Sequence, residues 1–298
     1  MDKFKAMSTF VRIVEAGSLT GAADRLGISL TSVVRTLAAL EQGLGVRLLN
    51  RTTRRIALTD EGREYFERCR RLLADLDEVE NALTDRSLTP VGRLAITAPV
   101  MFGRLHVAPV VTDFLAAYPE MRAELLLLDR VIDLLEEGID LAIRIAPLPD
   151  SSLIAIPLGV TGRVVCASPD YLARHGVPQQ PRDLAGHRAI RFTGLNEGSD
   201  WTFARGSETQ RVAIADVFAA NQVDAALDAC CKGLGCGRFF GYQVRDLEAG
   251  GQLVRLLRDW EPAVVVVSLV YPHTRLLSPR IRAFVDWAVP RLRERLAD

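Results

Sequence analysis

The sequence of 298 residues lacks the long apolar run that a membrane-spanning helix needs, about 20 residues. A run such as residues 263–267 has only the length of a buried strand. The first ten residues carry charges and no continuous apolar stretch, which is not the pattern of a signal peptide. We therefore expect a cytoplasmic protein that is not bound to a membrane.

Catalytic signatures are also absent. The sequence has no G-x-S-x-G or H-E-x-x-H motif and no paired His/Cys spacing typical of a metal site. Its four histidines, at positions 106, 175, 187 and 273, are scattered. We expect no enzymatic activity, no metal and no cofactor.

Cysteine is scarce, with five residues and no metal-binding pattern. In a cytoplasmic chain, such cysteines are expected to be reduced and packed as small apolar side chains. The cluster of Cys230, Cys231 and Cys236 leaves a redox switch open as an alternative, although nothing in the sequence marks a reactive thiolate.

The formal net charge is zero, yet the charges are unevenly distributed. Residues 1–58 hold nine Lys and Arg against four Asp and Glu, a net charge of +5, and the remaining residues carry −5. A basic N-terminal module fits a surface that binds phosphates, although chance could produce the same imbalance.

Residues 18–59 predict a helix-turn-helix. Phe4, Met7, Val11 and Val14 recur at helical spacing in a first helix, and Ser18 is a suitable N-cap for a second. The second helix ends at Gly27-Ile28-Ser29, and a third follows at once to about residue 42. Two helices joined by a short turn that contains glycine are typical of DNA-binding proteins.

The third helix should place its N-terminal end in the major groove of DNA. Val33, Leu37 and Leu40 share one face and are expected in the core. The polar residues left near the start of the helix are the predicted DNA contacts: Ser29, Thr31, Ser32 and Arg35. Of these, Arg35 has the side chain that binds guanine through two hydrogen bonds.

Two short apolar runs, 47–49 and 56–58, flank a basic segment and predict a two-stranded wing. Arginine at such a tip can bind phosphates or enter the minor groove, whereas the alternative is a solvated hairpin loop. The predicted contacts are Arg51, Thr52, Arg54 and Arg55.

Residues 59–86 predict a long helix with Thr59 as its cap and acidic residues in its first turn. A narrow apolar stripe suggests a coiled-coil seam between two subunits, and the alternative is a helix lying on its own domain. Residues 89–92 then read as a hinge. The stripe consists of Phe66, Cys69, Leu72, Leu73, Leu76, Val79 and Leu83.

Beyond residue 93, short apolar runs alternate with helical patterns, which predicts an α/β fold with mostly parallel sheets. Strands are predicted at 94–97, 123–128, 141–145, 164–167, 189–192, 211–217 and 264–271. Helices are predicted at 104–117, 131–137, 169–174, 224–232 and 279–295.

The chain resembles the LysR-type transcriptional regulators over nearly its whole length. The resemblance rests on ALEQGLGVRLLNRTTRRIALTDEGREYF at 39–66, RLAITAPVMFGRLHVAPVV from residue 93, DLLEEGIDLAIRI from residue 133, and SPRIRAFVDWAVPRLR from residue 278. It implies a winged helix-turn-helix, a linker helix that forms dimers, and an α/β effector domain of two lobes similar to periplasmic binding proteins. Family members usually form tetramers, bind promoters and respond to a small molecule.

With this resemblance we place a DNA-binding domain at 1–58, a linker at 59–90 and an effector domain at 91–298. Within the effector domain, lobe I spans 91–162 and 268–298, and lobe II spans 163–267. The chain departs from the family at Leu30, where Gln is common, and at Val34, where Ser or Thr is common. Leu30 offers only an apolar contact, for instance to a thymine methyl, so no base preference carries over.

An effector site is predicted where strands of the α/β region end and helices begin. Thr97 and Phe102 flank such a junction, where free backbone N–H groups would favour a carboxylate. Arg144, near the end of a strand, could pair with an acidic effector, and Thr193 and Arg238 would face it from the second lobe. Alternatively, Thr97 only caps the helix, Arg144 forms a structural ion pair and Arg238 is a surface charge.

The leading hypothesis is a DNA-binding regulator that responds to a small, anionic effector. The alternatives are a redox-responsive regulator that uses Cys230, Cys231 and Cys236, and a small-molecule binding protein without a role on DNA. The N-terminal 90 residues argue against the last.

Overall fold

The computed structural model describes residues 2–52, 55–83, 90–146, 153–194, 200–261, 264–273 and 278–297. The chain divides into two compact units, Met1–Leu88 and Thr89–Asp298. The predicted boundaries at 58/59 and 90/91 stay predictions.

Three helices form the first part of the N-terminal unit: α1 (Lys3–Ala16), α2 (Leu19–Leu26) and α3 (Leu30–Leu44). Each ends at a glycine with positive φ, namely Gly17, Gly27 and Gly45, where residues with a Cβ are strained. The inward faces of the helices meet in one apolar core, and its fully buried members include Phe10, Ile13, Ala22, Val33 and Leu37.

The wing follows α3 as an antiparallel pair, β1 (Leu49–Thr52) and β2 (Arg55–Leu58). The long helix α4 (Asp60–Leu83) comes next, with Asp60 and Glu61 in its first turn. The predicted strands therefore exist, but each extends further toward the tip than the apolar runs indicated. Residue 54 and the linker residues 84–89 lie outside the described part of the chain.

Part of the stripe on α4 packs on its own domain. Tyr65 and Phe66 contact Phe10 of α1, with ring centroids 5.7 and 6.4 Å apart, and Cys69 is fully buried. The alternative, a helix that lies on its own domain, therefore applies to Cys69, whereas Phe66 is only half-buried and its place in a subunit seam stays a prediction. Leu72 is 54% exposed, whereas the side chains at 79 and 83 lie outside the described residues.

Lobe I of the second unit is built on a five-stranded sheet in the order β4-β3-β5-β14-β6. Helical segments α5 (Val100–Phe102), a π-helical turn (Gly103–Val107), α6 (Ala108–Ala117) and α10 (Pro279–Ala297) pack on it. The strands are β3 (Gly92–Ala98), β4 (Met121–Leu127), β5 (Leu141–Ile145), β6 (Leu153–Thr161) and β14 (Val265–Pro272).

Lobe II contains a second five-stranded sheet, β11-β8-β12-β7-β13, and the hairpin β9-β10. Its strands are β7 (Arg163–Ala167), β8 (Arg188–Phe192), β9 (Asp200–Arg205), β10 (Glu208–Ala213), β11 (Ala215–Ala220), β12 (Cys236–Phe240) and β13 (Val254–Leu256). Its α-helices are α7 (Pro169–His175), α8 (Val223–Cys231) and α9 (Gly241–Ala249), and short 3₁₀ turns span Pro181–Gly186 and Arg258–Trp260.

The sheets correct the expectation of mostly parallel strands. In lobe I, β3 pairs in parallel with β4 and β5, but β14 runs antiparallel to β5 and β6. The sheet of lobe II also has two parallel and two antiparallel strand pairs. In it, β8 is parallel to β11 and β12, and β7 is antiparallel to β12 and β13. Both sheets are mixed because chain segments return across the lobe boundary, at Gly162 and before β14.

Two predicted elements and one lobe boundary also differ from the structure. Residues 131–137 form no helix but an extended segment and a turn, and 211–217 belongs to two strands, β10 and β11. β14 begins at Val265, so residues 265–267, predicted in lobe II, pair within the sheet of lobe I.

Residues 100–117 are long and apolar enough, by length and composition alone, to cross a membrane. In the structure, however, this helical stretch packs against the sheet of lobe I. Its buried residues include Phe102, Val107, Val110, Val111 and Phe114. We therefore interpret it as a core helix.

Candidate functional site

The start of α3 presents an exposed, mostly polar surface. Ser29 is the N-cap, and its hydroxyl accepts a hydrogen bond of 3.2 Å from the Ser32 backbone N–H. Thr31 and Arg35 are exposed and Ser32 is half-buried. Because Val33, Leu37 and Leu40 fix the opposite face in the core, this polar face points to solvent. It can therefore reach a ligand as large as DNA.

Hydrogen bonds fix the wing relative to α3. A carboxylate oxygen of Glu41 accepts from the backbone N–H groups of Leu48 and Leu49, at 2.8 and 3.2 Å. The hydroxyl of Thr59 donates to the Arg47 carbonyl oxygen at 2.7 Å and accepts from the Gly62 N–H at 2.9 Å. The start of β1 and the residue after β2 are thus anchored at the base of the wing.

The structure places the backbone of three predicted wing residues, Arg51, Thr52 and Arg55, in β1 and β2. Residue 51 pairs with Ile56, and residue 52 with residue 55. Their side chains, and Arg54 as a whole, lie outside the described part, so their DNA contacts stay predictions.

A cavity of about 230 Å³ lies between the lobes of the second unit. This is smaller than the roughly 300–1,000 Å³ of pockets that hold drug-sized molecules. Lobe I lines it with the ends of β3 and β5 and the segment after β4, including Thr97, Asp129 and Arg144. Lobe II contributes Arg163 and Gly194. The cavity therefore has room for a small molecule only.

Two of the predicted effector residues, Thr97 and Arg144, line this cavity. The Thr97 hydroxyl donates to the Leu126 carbonyl oxygen at 2.8 Å, and an Arg144 Nη donates to the Ile132 carbonyl oxygen at 2.6 Å. Burial lowers the pKa of the Arg144 guanidinium, and the nearby Asp133 carboxylate opposes this shift. Arg144 therefore brings a half-buried guanidinium group to the cavity.

A carboxylate of the protein occupies the junction where we expected an anionic ligand. Asp129 Oδ1 accepts a 3.0 Å hydrogen bond from the Val100 N–H at the start of α5. Burial raises the pKa of Asp129, and the hydrogen bond from Val100 opposes the shift. The expectation that this N–H is free for a ligand is thus wrong, because Asp129 already satisfies it.

Comparisons with known proteins match both units of the chain. Residues 4–63 match the bacterial regulatory helix-turn-helix protein, lysR family, and residues 88–293 match the LysR substrate binding domain. The chain belongs to the LysR family. It is a LysR-type transcriptional regulator with a helix-turn-helix and an effector-binding domain.

Family relatives match the chain along nearly its whole length. An HTH-type transcriptional repressor of Pseudomonas aeruginosa is 40% identical over 97% of this chain and 92% of its own. Among solved LysR-type structures, CrgA of Neisseria meningitidis is 32% identical, with a TM-score of 0.62 and 99% of both chains covered. The virulence activator AphB of Vibrio cholerae is 28% identical, with a TM-score of 0.63 and 96% and 98% of the chains covered.

One predicted member of the LysR effector site is misplaced. Phe102 is fully buried in the core of lobe I and packs on His106 and Tyr242, with ring centroids 4.7 and 5.4 Å away. It is not among the residues that line the cavity. The sequence motif placed Phe102 near the junction, but the helical turn directs its side chain inward.

The two effector-site residues predicted from lobe II do not line the cavity that Thr97 and Arg144 line. The Thr193 N–H donates to the Ala220 carbonyl oxygen at 2.8 Å, and only its neighbour Gly194 reaches the cavity. Arg238 lies 5.4 Å from the ring centroid of Trp201 and lines a small neighbouring crevice together with Trp260 and Arg163, which also lines the cavity. The structure therefore does not bring Thr193 and Arg238 together with Arg144.

The cysteines of this LysR protein are packed thiols. Cys230 is fully buried, and its Sγ donates to the carbonyl oxygens of Cys166 and Gly235 at 3.4 and 3.5 Å. Burial raises the pKa of the Cys236 thiol to about 12 and also raises the pKa of Cys231. Because a reactive cysteine needs a lowered pKa, this arrangement does not favour the redox alternative.

The cavity residues that sequence reasoning missed include Asp129, Arg163 and Gly194. Asp129 lies two residues after the end of β4, and acidic residues near strand ends are a signal that the sequence does carry. A Cβ on Gly194 would lie 2.9 Å from the Asp129 Cβ, so the lobes approach each other closely here. Nothing in the spacing of the sequence indicates such a contact between lobes.

Proposed function

We propose that this LysR-type regulator is a cytoplasmic protein that binds promoter DNA through the start of α3. In this proposal, Thr31, Ser32 and Arg35 contact base edges and Ser29 orients the end of the helix. The observation that carries it is that α3 exposes a polar face while its opposite face is buried in the core of the domain. Helix-turn-helix proteins use this end of the second helix to contact bases.

The wing adds contacts to the phosphate backbone in this proposal. Arg51, Thr52, Arg54 and Arg55 are the proposed contacts, and the net charge of +5 on residues 1–58 supports them. Contacts of this kind release bound cations from DNA, so affinity should fall as salt is added.

The cleft between the lobes is the proposed effector site. A small carboxylate would pair with the Arg144 guanidinium, and the Thr97 hydroxyl would lie beside it. We assign the carboxylate to Arg144 rather than to the start of α5, because Asp129 occupies the Val100 N–H and would repel a second anion. The protein acts as a regulator and not as an enzyme in this account.

Oligomerisation completes the proposal. The exposed Leu72 and the half-buried Leu73 and Leu76 extend the apolar stripe of α4 beyond its own domain. We assign this remaining stripe to a homodimer, and we propose that two dimers form a tetramer. An effector would then change DNA binding by changing the relative position of the lobes, which requires different affinities for the two arrangements.

A mobility-shift assay with the DNA upstream of the protein's own gene tests the central contacts. We expect wild type to bind and the double variant Arg35→Ala, Arg51→Ala to bind at least tenfold more weakly. Arg12→Ala is the matched control, since Arg12 is also an exposed arginine of this unit but pairs with Glu15 on α1. Equal binding by the double variant and wild type would refute the assigned contacts.

A further inference from the structure

The first residue of α3 is an exposed leucine. The Leu30 side chain is 45% exposed, whereas Val33, Leu37 and Leu40 of the same helix are buried in the core. A single exposed leucine is common on proteins and by itself carries little information. Leu30 differs because it lies between the cap Ser29 and Thr31, at the end of the helix that meets base edges.

The neighbouring cap is already engaged within the protein. The Ser29 hydroxyl accepts from the Ser32 N–H, so this interaction with a backbone donor limits what it offers to DNA. Leu30 adds a large apolar surface directly beside it. The start of α3 therefore offers one bulky apolar group between the exposed residues Ser29 and Thr31.

A leucine carries no hydrogen-bond donor or acceptor, so it cannot read the polar pattern of a base pair. The apolar feature of the major groove is the C5-methyl group of thymine. We propose that Leu30 contacts a thymine methyl and selects thymine at one position of each half-site. This inference rests on the proposed placement of α3 in the major groove.

The expected effect is modest and measurable. Burial of one methyl-sized group corresponds to roughly a fourfold change in affinity. Leu30→Ala should leave the domain folded, because Leu30 is not part of the apolar core of this unit and alanine favours helices. The variant should therefore retain DNA binding but lose the preference for the methyl group.

The test uses a duplex that wild-type protein selects from a random-sequence library. Each thymine of that duplex is replaced singly by 2′-deoxyuridine, which lacks only the C5-methyl group. For wild type, we expect one replacement per half-site to weaken binding roughly fourfold. For Leu30→Ala, the same replacement should produce no further loss.

Leu44→Ala is the matched control. Leu44 is the last residue of α3 and is 41% exposed, so the two variants remove similar side chains from opposite ends of one helix. Leu44→Ala should respond to deoxyuridine as wild type does. The inference is overturned if no single thymine methyl matters to wild type, or if Leu30→Ala keeps the wild-type response. Failure of the proposed function would look different, because wild type would then select no duplex at all.

Discussion

At the scale of single residues, Asp129 changes the chemistry expected of the cleft. Its carboxylate accepts from the Val100 N–H, so the start of α5 holds an anion that belongs to the protein itself. Arg144, which donates to the Ile132 carbonyl oxygen, is then the cation that a ligand can approach. The cleft contains both signs of charge, in positions fixed by hydrogen bonds to the backbone.

The raised pKa of Asp129 predicts a pH-dependent stability difference. Because burial raises this pKa above the unfolded value, the folded protein binds the proton more tightly, and stability falls as pH rises from about 4 through the folded pKa. Asp129→Asn removes this titration and retains an oxygen for Val100. In urea unfolding, the free energy of unfolding of the variant should rise relative to that of wild type between pH 4 and pH 7. A constant difference, or a shift in the other direction, would contradict the burial of a charged Asp129.

Arg144→Gln should abolish binding of carboxylates in the cleft. A panel of small mono- and dicarboxylic acids can be screened by thermal unfolding of the full chain. A ligand at 100 times its Kd stabilises wild type by about 2.7 kcal/mol. We expect this gain for at least one acid with wild type and not with Arg144→Gln.

Arg122→Gln serves as the control for that screen, because Arg122 is exposed on β4 and does not line the cavity. It should respond as wild type does. An acid that stabilises wild type and Arg144→Gln equally would show that the anion site lies elsewhere.

At the scale of elements, the junction of α4 and the wing depends on close backbone approach. A Cβ at Gly62 would overlap the carbonyl oxygen of Leu48, and a backbone atom cannot move aside as a flexible side chain can. The Thr59 hydroxyl caps α4 at the Gly62 N–H and so fixes the first turn of α4 here. This glycine therefore sets the angle at which α4 leaves the wing.

Gly62→Ala should destabilise the N-terminal unit by about 1–3 kcal/mol, the usual effect of forced overpacking. Denaturant unfolding of the full chain, followed through the transition of this unit, measures the loss. Gly186→Ala is the control, since a Cβ there meets nothing within 4 Å. If Gly62→Ala unfolded at the same denaturant concentration as wild type, the close approach of Gly62 to the Leu48 carbonyl oxygen would be contradicted.

The sequence predicted elements well where periodicity is strong and local. The spacing of Val33, Leu37 and Leu40 placed α3 correctly, and the core of that unit contains all three. The pattern failed where pairing partners are distant: 211–217 reads as one run but divides between the hairpin and the edge strand β11. Local spacing carries no information on which strand lies beside another.

The cleft was predictable only in part for the same reason. Thr97 and Arg144 lie near strand ends that the sequence reveals. Arg163 and Gly194 reach the cavity from the other lobe, and that approach depends on the path of the chain between lobes. Arg238 was misplaced because a glycine-rich run indicates close backbone approach but not which pocket it serves.

At the scale of the whole molecule, we expect the protein to associate through α4. Leu72→Glu places a charge on the exposed part of the stripe and should raise the dimer Kd at least tenfold, equivalent to about 1.4 kcal/mol. Sedimentation velocity across a concentration series measures this. Leu135→Glu, at a residue 58% exposed in the second unit, should sediment as wild type does. Unchanged association of Leu72→Glu would remove α4 from the interface.

The central claim is that the start of α3 and the wing bind duplex DNA. The most direct test is a fluorescence-anisotropy titration of the protein's own upstream duplex at several salt concentrations. We expect the logarithm of the dissociation constant to rise steeply and linearly with the logarithm of the salt concentration. Arg35→Ala should bind more weakly than wild type at every salt concentration. Absence of salt-sensitive binding to that duplex and to a duplex pool of random sequence would contradict the account.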